Sequence, residues 1–236
     1  MDNLAGRTII ITGVGRRGQV SDAIAEALGA AGARLVLLGH RPNDVEERAA
    51  EARARGGTVI GHACDLTNEA EVGRVAGAVA ASDPEVDALV NGAGGFAYSG
   101  NVPEASPDLL DRQFAMNVRS AFLATRAFLP LVRRRRGSII FFASAAATEG
   151  VSAAGMSAYV AAKSAVIGLM RAVAQEEMAN GVRANALAPA AMRTPANEEA
   201  MGKGGPFVEL GAMTSIVRFL CSDASRALTG QVMRIG

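Results

Sequence analysis

The stretch Thr8–Leu28, "TIIITGVGRRGQVSDAIAEAL", joins an apolar run to an alanine-rich segment through a loop of three glycines and two arginines. Arg7–Thr12 is continuously apolar and β-branched enough to read as a strand. Ser21–Ala31 repeats apolar residues at helical spacing, with Ile24, Ala27, Leu28 and Ala31 on one face. Ser21 is expected as the N-cap, and Asp22 is favourable in the first turn. Gly13, Gly15 and Gly18 spell a literal G-x-G-x-x-G. Between a strand and a helix, such a loop lets backbone approach a pyrophosphate, and the helix start offers unpaired N–H groups to it.

The same alternation continues outward. Strands are expected at "GARLVLL", "TVIGHA", "VDALVNGAGG", "GSIIFFAS", "VRANALAP" and "GQVMRIG". Helices are expected at "PNDVEERAAEARARGG", "NEAEVGRVAGAVAA", Pro107–Leu131 and Ser157–Ala179. Strands separated by helices imply right-handed crossovers and a parallel sheet covered on both faces. No Pro/Ser linker, composition break or repeat divides residues 1–236. The expected fold is therefore α/β, a single doubly wound Rossmann-like domain with a parallel sheet of about seven strands. In such sheets ligands sit beyond the carboxyl ends of the strands, where each glycine turn falls.

Composition narrows the function. Half the residues are apolar and the net charge is +1, which argues against nucleic-acid or anionic-membrane partners. Arg133–Arg136, "RRRR", reads as a solvated helix end. Cys64 and Cys221 lie far apart without metal-ligand neighbours, so no metal is expected and a reduced, cytoplasmic protein is the default, one disulfide remaining open. No signal-peptide pattern precedes the first strand, and no apolar segment is expected to reach the roughly 18 residues of a membrane span.

At the cofactor end, Gly13, Gly15, Arg16, Arg17, Gly18 and Val20 form the first turn. After the second strand, a site for NAD usually offers a carboxylate to the ribose 2′-OH. Here His40 and Arg41 stand instead. A 2′-phosphate calls for cationic donors, which Arg41, Arg16 or Arg17 can supply, so NADP(H) is favoured, with NAD(H) the alternative. Asp65 and Leu66 follow the third strand, near the adenine. Asn91, Gly92, Ala93 and Gly94 end the fourth with small residues that admit the cofactor.

At the reaction end, Tyr159 and Lys163 lie at i and i+4 on one helix face. A nearby ammonium is expected to lower the phenol pKa from about 10 and fit it for proton transfer. Ser144 ends the fifth strand, where its hydroxyl can share a carbonyl oxygen with Tyr159.

Taken in order, Thr12-Gly13, Asp65, Asn91-Gly92-Ala93-Gly94, Asn117 in "FAMNVRS", Ser144, Tyr159 with Lys163, and "NALAPAAMRTP" closely resemble the short-chain dehydrogenase/reductase family over almost the whole chain. Among its members the 3-oxoacyl carrier-protein reductases look nearest. The resemblance implies Tyr159 as general acid/base and Ser144 as the carbonyl anchor. It also implies Lys163 at the nicotinamide ribose, Asn117 in a water relay, and Pro189, Met192 and Thr194 beside the nicotinamide. The implied substrate is a small ketone or secondary alcohol, or a 3-oxoacyl thioester. A homo-oligomer, tetramer or dimer, packed through the two long helices is expected by family habit. The rival reading is a non-catalytic dinucleotide-binding sensor or scaffold.

Five departures from the family pattern stand out. The glycine loop is longer by about two residues, with Ser21 near the last expected glycine. Gly92 replaces an asparagine, and Ala190 replaces the glycine after Pro189. The segment from Ser144 to Tyr159 is longer than usual, which leaves Ser152 and Ser157 as fallbacks for Ser144. Finally, the lid region 195–213 is short and glycine-rich, implying an open or small pocket.

Overall fold

The computed structural model describes residues 3–236. The strands are β1 (Thr8–Thr12), β2 (Arg34–Gly39), β3 (Val59–Ala63), β4 (Ala88–Asn91), β5 (Ser138–Phe142), β6 (Arg183–Pro189) and β7 (Val232–Ile235). They form one seven-stranded parallel sheet in the order β3-β2-β1-β4-β5-β6-β7. The chain winds outward from β1 to β3, then returns to pair β4 with β1. The β1/β4 border is thus the switch point beyond which a ligand crevice opens.

The helices are α1 (Val20–Ala30), α2 (Pro42–Ala54), α3 (Glu69–Ser82), α4 (Pro107–Phe114), α5 (Ser120–Arg134), α6 (Ser157–Glu176), α7 (Pro195–Met201) and α8 (Leu210–Leu220). Successive strand residues point to opposite faces, so the apolar strands feed two cores. Ile10, Val36, Leu89 and Phe141 pack with Val75 of α3, Phe128 of α5 and Met170 of α6. Ile9, Ile11, Leu37 and Ile140 pack with Ile24 and Leu28 of α1, Val45 of α2 and Val217 of α8.

Several expectations are corrected. Ser21 does not cap α1: the helix starts at Val20 behind Gln19, and the buried Ser21 Oγ donates to Thr12 O at 3.1 Å. Pro107–Leu131 is not one regular helix, because a π-type turn at Ala115–Arg119 separates α4 from α5. α8 lies in a stretch assigned no element; its buried Met213, Val217 and Leu220 have helical spacing that the preceding glycines obscure. Both cysteines are free and buried. Burial pushes their thiols up, to about 11 for Cys64 and about 12 for Cys221.

One helix, α6, is after all long and apolar enough by composition to cross a membrane. In the fold, its Ala162, Val166, Met170 and Val173 are buried in the sheet-facing core. The arginine run is likewise more than a solvated end. Arg133 pairs with Glu177 at 2.6 Å, Arg134 donates to Pro84 O at 3.2 Å, and Arg135 reaches Asp87 at 3.2 Å. These contacts tie α5 to the amino end of the sheet, far from the crevice.

Candidate active site

The cofactor end is built from backbone. Val14 N donates to Leu38 O at 2.9 Å, turning the loop after β1 toward β2. Gly13 has φ +74°, and a Cβ there would lie 2.5 Å from Ala93 Cα. Ala93 N in turn donates to Thr12 Oγ1 at 3.1 Å. The turns after β1 and β4 therefore meet backbone on backbone, which only glycine at 13 allows. The Gly18 amide is held by Asp22 Oδ2 at 2.7 Å. Burial raises the Asp22 pKa, and this hydrogen bond partly offsets the effect.

The result is a cleft of about 320 Å³. Gly13, Gly15 and Arg16 line it from the first turn, and His40 and Arg41 from the second. Asp65 and Leu66 line it from the third, Ala93 and Gly94 from the fourth. Arg16 makes no ion pair among the described residues, and Arg41 is loosely paired with Asp44 at 3.9 Å. Asp65 Oδ1 accepts from Thr67 N at 2.9 Å and Thr67 Oγ1 at 2.8 Å, which holds its carboxyl below the usual range.

Not every expected residue joins the cleft. Arg17 is ion-paired with Glu51 of α2. Val20 packs at the edge of the core as the first residue of α1. Gly18 faces Pro195, whose Cγ lies 3.3 Å from where a Cβ would be. Asn91 is buried, with Nδ2 donating to Thr125 Oγ1 at 3.1 Å and Oδ1 without a partner among the described residues. Gly92 belongs to the packing of the turn, because a Cβ there would stand 2.4 Å from Ser21 Oγ.

The reaction end adjoins Gly94, where a Cβ would lie 2.5 Å from Asn117 Oδ1 and 3.3 Å from Lys163 Nζ. Asn117 sits in the π-type turn, a feature frequent at functional sites. Its Oδ1 accepts from Gly95 N and its Nδ2 donates to Gly95 O, both at 3.1 Å. The same Nδ2 lies 3.0 Å from Gln113 O and 3.1 Å from Gln113 Oε1. Lys163 is buried and donates to Phe142 O at 2.8 Å, with Nζ 5.8 Å from the Tyr159 ring centre. Ser144 follows β5 by two residues and is buried, and its hydroxyl acts on the Tyr159 phenol.

The electrostatics correct one expectation. The Tyr159 phenol is raised rather than lowered: burial dominates, and the Ser144 hydroxyl pulls only partly the other way. Burial also pushes the Lys163 ammonium down to about 8. Withdrawal from water outweighs the cation, whose charge is directed at a carbonyl oxygen.

Beyond β6, Pro189 pairs with Ile235, Met192 bridges to Val208, and Thr194 caps α7 by accepting from Asn197 N at 3.3 Å. Arg193 closes the lid region on itself. It pairs with Glu198 at 2.8 Å and Glu209 at 2.7 Å, and lies 5.0 Å from the Phe207 ring centre. Gln113, Thr67 and Phe96 were not expected at the site from the sequence. Only Gln113, four residues before Asn117, left a readable signal. Among the described residues no group of acidic, His and Cys side chains is arranged to hold a metal.

A parallel sheet with a glycine-lined crevice beside a Ser-Tyr-Lys-Asn cluster defines a nucleotide-binding oxidoreductase. The chain belongs to the short-chain dehydrogenase/reductase family: the short chain dehydrogenase family model matches residues 7–203. It is 32% identical to the 2,5-dichloro-2,5-cyclohexadiene-1,4-diol dehydrogenase of Sphingobium indicum, over 99% of this chain and 96% of that one. It is 26% identical to dehydrogenase/reductase SDR family member 4 of Homo sapiens, over 100% of this chain and 88% of that protein. A short-chain type dehydrogenase/reductase from Mycobacterium ulcerans superposes with a TM-score of 0.87 at 28% identity, covering 99% of this chain and 89% of that one. The chain is thus an NAD(P)-dependent oxidoreductase acting on CH–OH groups.

Proposed function

We propose that the chain is a cytoplasmic, homo-oligomeric enzyme that interconverts a ketone and a secondary alcohol, prefers NADP(H) to NAD(H), and uses Tyr159 as general acid/base. The observation that carries this reading is the cluster of Ser144, Tyr159, Lys163 and Asn117 around Gly94, at the end of the cleft. Gly13, Gly15, Ala93 and Gly94 line the cleft with backbone and little side chain, and a Cβ on Gly15 would meet open space, which fits a pyrophosphate and nicotinamide ribose. Arg16, free of ion pairs among the described residues, and Arg41, loosely held, favour a 2′-phosphate. When bound, the nicotinamide supplies or accepts the hydride.

The residues handle the oxygen and its proton. Ser144 Oγ donates to the substrate carbonyl oxygen and fixes its direction. Tyr159, kept protonated by burial, gives its proton to that oxygen as the carbonyl becomes an alcohol. In the oxidative direction the phenolate takes the proton back. Lys163 holds positive charge beside the phenol and binds the ribose, and Asn117 fixes the Gly94–Gly95 backbone from which the reacting end is built.

Two measurements test this. Titration with NADPH and NADH is expected to show tighter NADPH binding, and equal or tighter NADH binding overturns the arginine argument. NADPH oxidation across a ketone panel is expected to fall about 10³-fold in Tyr159→Phe, with NADPH affinity unchanged. A wild type that binds cofactor but reduces no carbonyl overturns the catalytic reading in favour of a sensor or scaffold.

A further inference from the structure

Phe96 is the first bulky residue after the glycines that end β4. Its ring meets the Tyr159 ring edge-on at 5.0 Å, yet Phe96 is 58% exposed. Two residues on, Tyr98 is 68% exposed. Large exposed apolar side chains beside a reactive group mark a surface that something covers.

This surface is built to hold its shape. On the inner side, Asn117 grips both polar groups of Gly95, so Phe96 leaves a fixed backbone. On the outer side, Ser99 N and Oγ both donate to Gly155 O, at 2.9 and 3.0 Å, and Ser99 Oγ lies 3.3 Å from Ser157 Oγ. Gly100 forms a bridge with Met156. The Tyr98 ring lies so close over Gly155 that a Cβ there would stand 2.3 Å from the phenol oxygen. The loop carrying the two rings is thus pinned at both ends, although the rings themselves face outward.

The surroundings are also uncharged. Phe96–Gly100, "FAYSG", and the facing residues 150–157, "GVSAAGMS", contain no ionisable group except the Tyr98 phenol. Two carboxylates border it: Glu149 directly precedes the facing segment, and Glu104 Oε2 would lie 3.3 Å from a Cβ on Gly100. A negative group at that border repels an anionic substrate tail.

We infer that Phe96, supported by Tyr98, is a specificity-determining residue whose fixed ring receives a neutral substrate carrying its carbonyl or carbinol carbon on a flat apolar ring. This rests on the oxidoreductase reading above and narrows its substrate class. A ring ketone gains stacking or edge contact with Phe96 while its oxygen lies toward Ser144 and Tyr159. A flexible acyl thioester gains neither that contact nor a cation for its anionic carrier.

The test uses the full chain with NADPH and three probes: 1-tetralone, 2-decanone and an acetoacetyl N-acetylcysteamine thioester. Wild type is expected to favour 1-tetralone over 2-decanone about tenfold or more in kcat/KM. Phe96→Ala is expected to collapse that ratio to within about twofold, through KM for 1-tetralone, while Phe96→Tyr keeps it. Equal losses on both ketones in Phe96→Ala overturn the inference, because the ring then only props Tyr159. A change of oligomeric state by light scattering in Phe96→Ala overturns it too, since the platform then serves a second copy of the chain. So does a wild-type preference for the thioester.

Calorimetric binding of 1-tetralone to the NADPH-loaded protein separates the two readings. If no probe is reduced but 1-tetralone binds, and binding weakens about tenfold in Phe96→Ala, the platform stands and the catalytic reading falls. If ketones are reduced without ring preference, the platform falls and the catalytic reading stands. Neither turnover nor 1-tetralone binding overturns both.

Discussion

Lys163 shows most clearly how burial and chemistry compete at one residue. The i, i+4 spacing with Tyr159 is readable in the sequence, and the helix does bring the two together. The direction of the phenol shift is not readable, because it depends on how much water the fold removes from both groups. Burial pushes Lys163 down to about 8 from an ordinary 10.5. Below pH 8 the folded chain therefore bears the cost of a buried ammonium, on the order of 3 kcal/mol if nothing relaxes. Between about 8 and 10.5 the unfolded chain still binds that proton while the folded one has released it, so stability rises with pH across this window. In the cofactor-free protein, Lys163→Met is expected to be more stable than wild type at pH 7, with the gap closing toward pH 10. Urea denaturation at stepped pH measures it; a gap independent of pH shows that the lysine is not desolvated as described. Above pH 10 the raised Tyr159 works the other way, so the comparison belongs below that value.

Among the elements, the strands were the most legible, since doubly covered strands are apolar throughout and each ended at a glycine or small-residue turn. The breaks were hidden. Nothing in "RQFAMNVRSAF" announces a π-type turn, and α8 was lost behind the glycines of the lid. The junction of α1 with the β4 turn was half legible: Ser21 near an expected glycine and Gly92 for an expected asparagine were both seen, but as separate departures. In the fold they are one arrangement. Ser21 Oγ fills the space a residue-92 side chain would take and bonds Thr12 O instead. Gly92→Ala is therefore expected to destabilise the chain by about 2 kcal/mol, through overpacking. Ser21→Gly with Gly92→Ala is expected to recover about half of that loss, a coupling read from a double-mutant cycle by urea denaturation. Full additivity would mean that the two positions do not share this space. The backbone oxygen of Thr12, 2.8 Å from the same point, is why recovery is not complete.

At the scale of the whole molecule, the doubly wound architecture followed from alternation alone, because right-handed crossovers leave few ways to bury apolar strands on both faces. The cleft followed from the topology, and its glycines marked it. Which arginine faces it did not follow: Arg17 and Arg16 are neighbours in sequence, but α2 offers Glu51 to only one of them. Assembly was an expectation from resemblance, and the surface now gives it a physical handle. Leu110 and Phe114 of α4 and Phe122 of α5 are 42%, 37% and 48% exposed on the stretch expected to pack against another copy. The opposite side of α5, with Ala124 and Phe128, is spent on the chain's own core. Exposed rings in one region that the chain leaves uncovered fit an isologous contact, in which each copy offers the same patch to the other. Light scattering of the wild type is accordingly expected to give a mass above the 24.2 kDa of one chain. Leu110→Arg with Phe122→Arg is expected to return it to the single-chain mass, with the far-ultraviolet circular dichroism unchanged because neither side chain reaches the core. A wild type that is monomeric at tens of micromolar overturns this assembly. A double variant that keeps the wild-type mass moves the contact to another face.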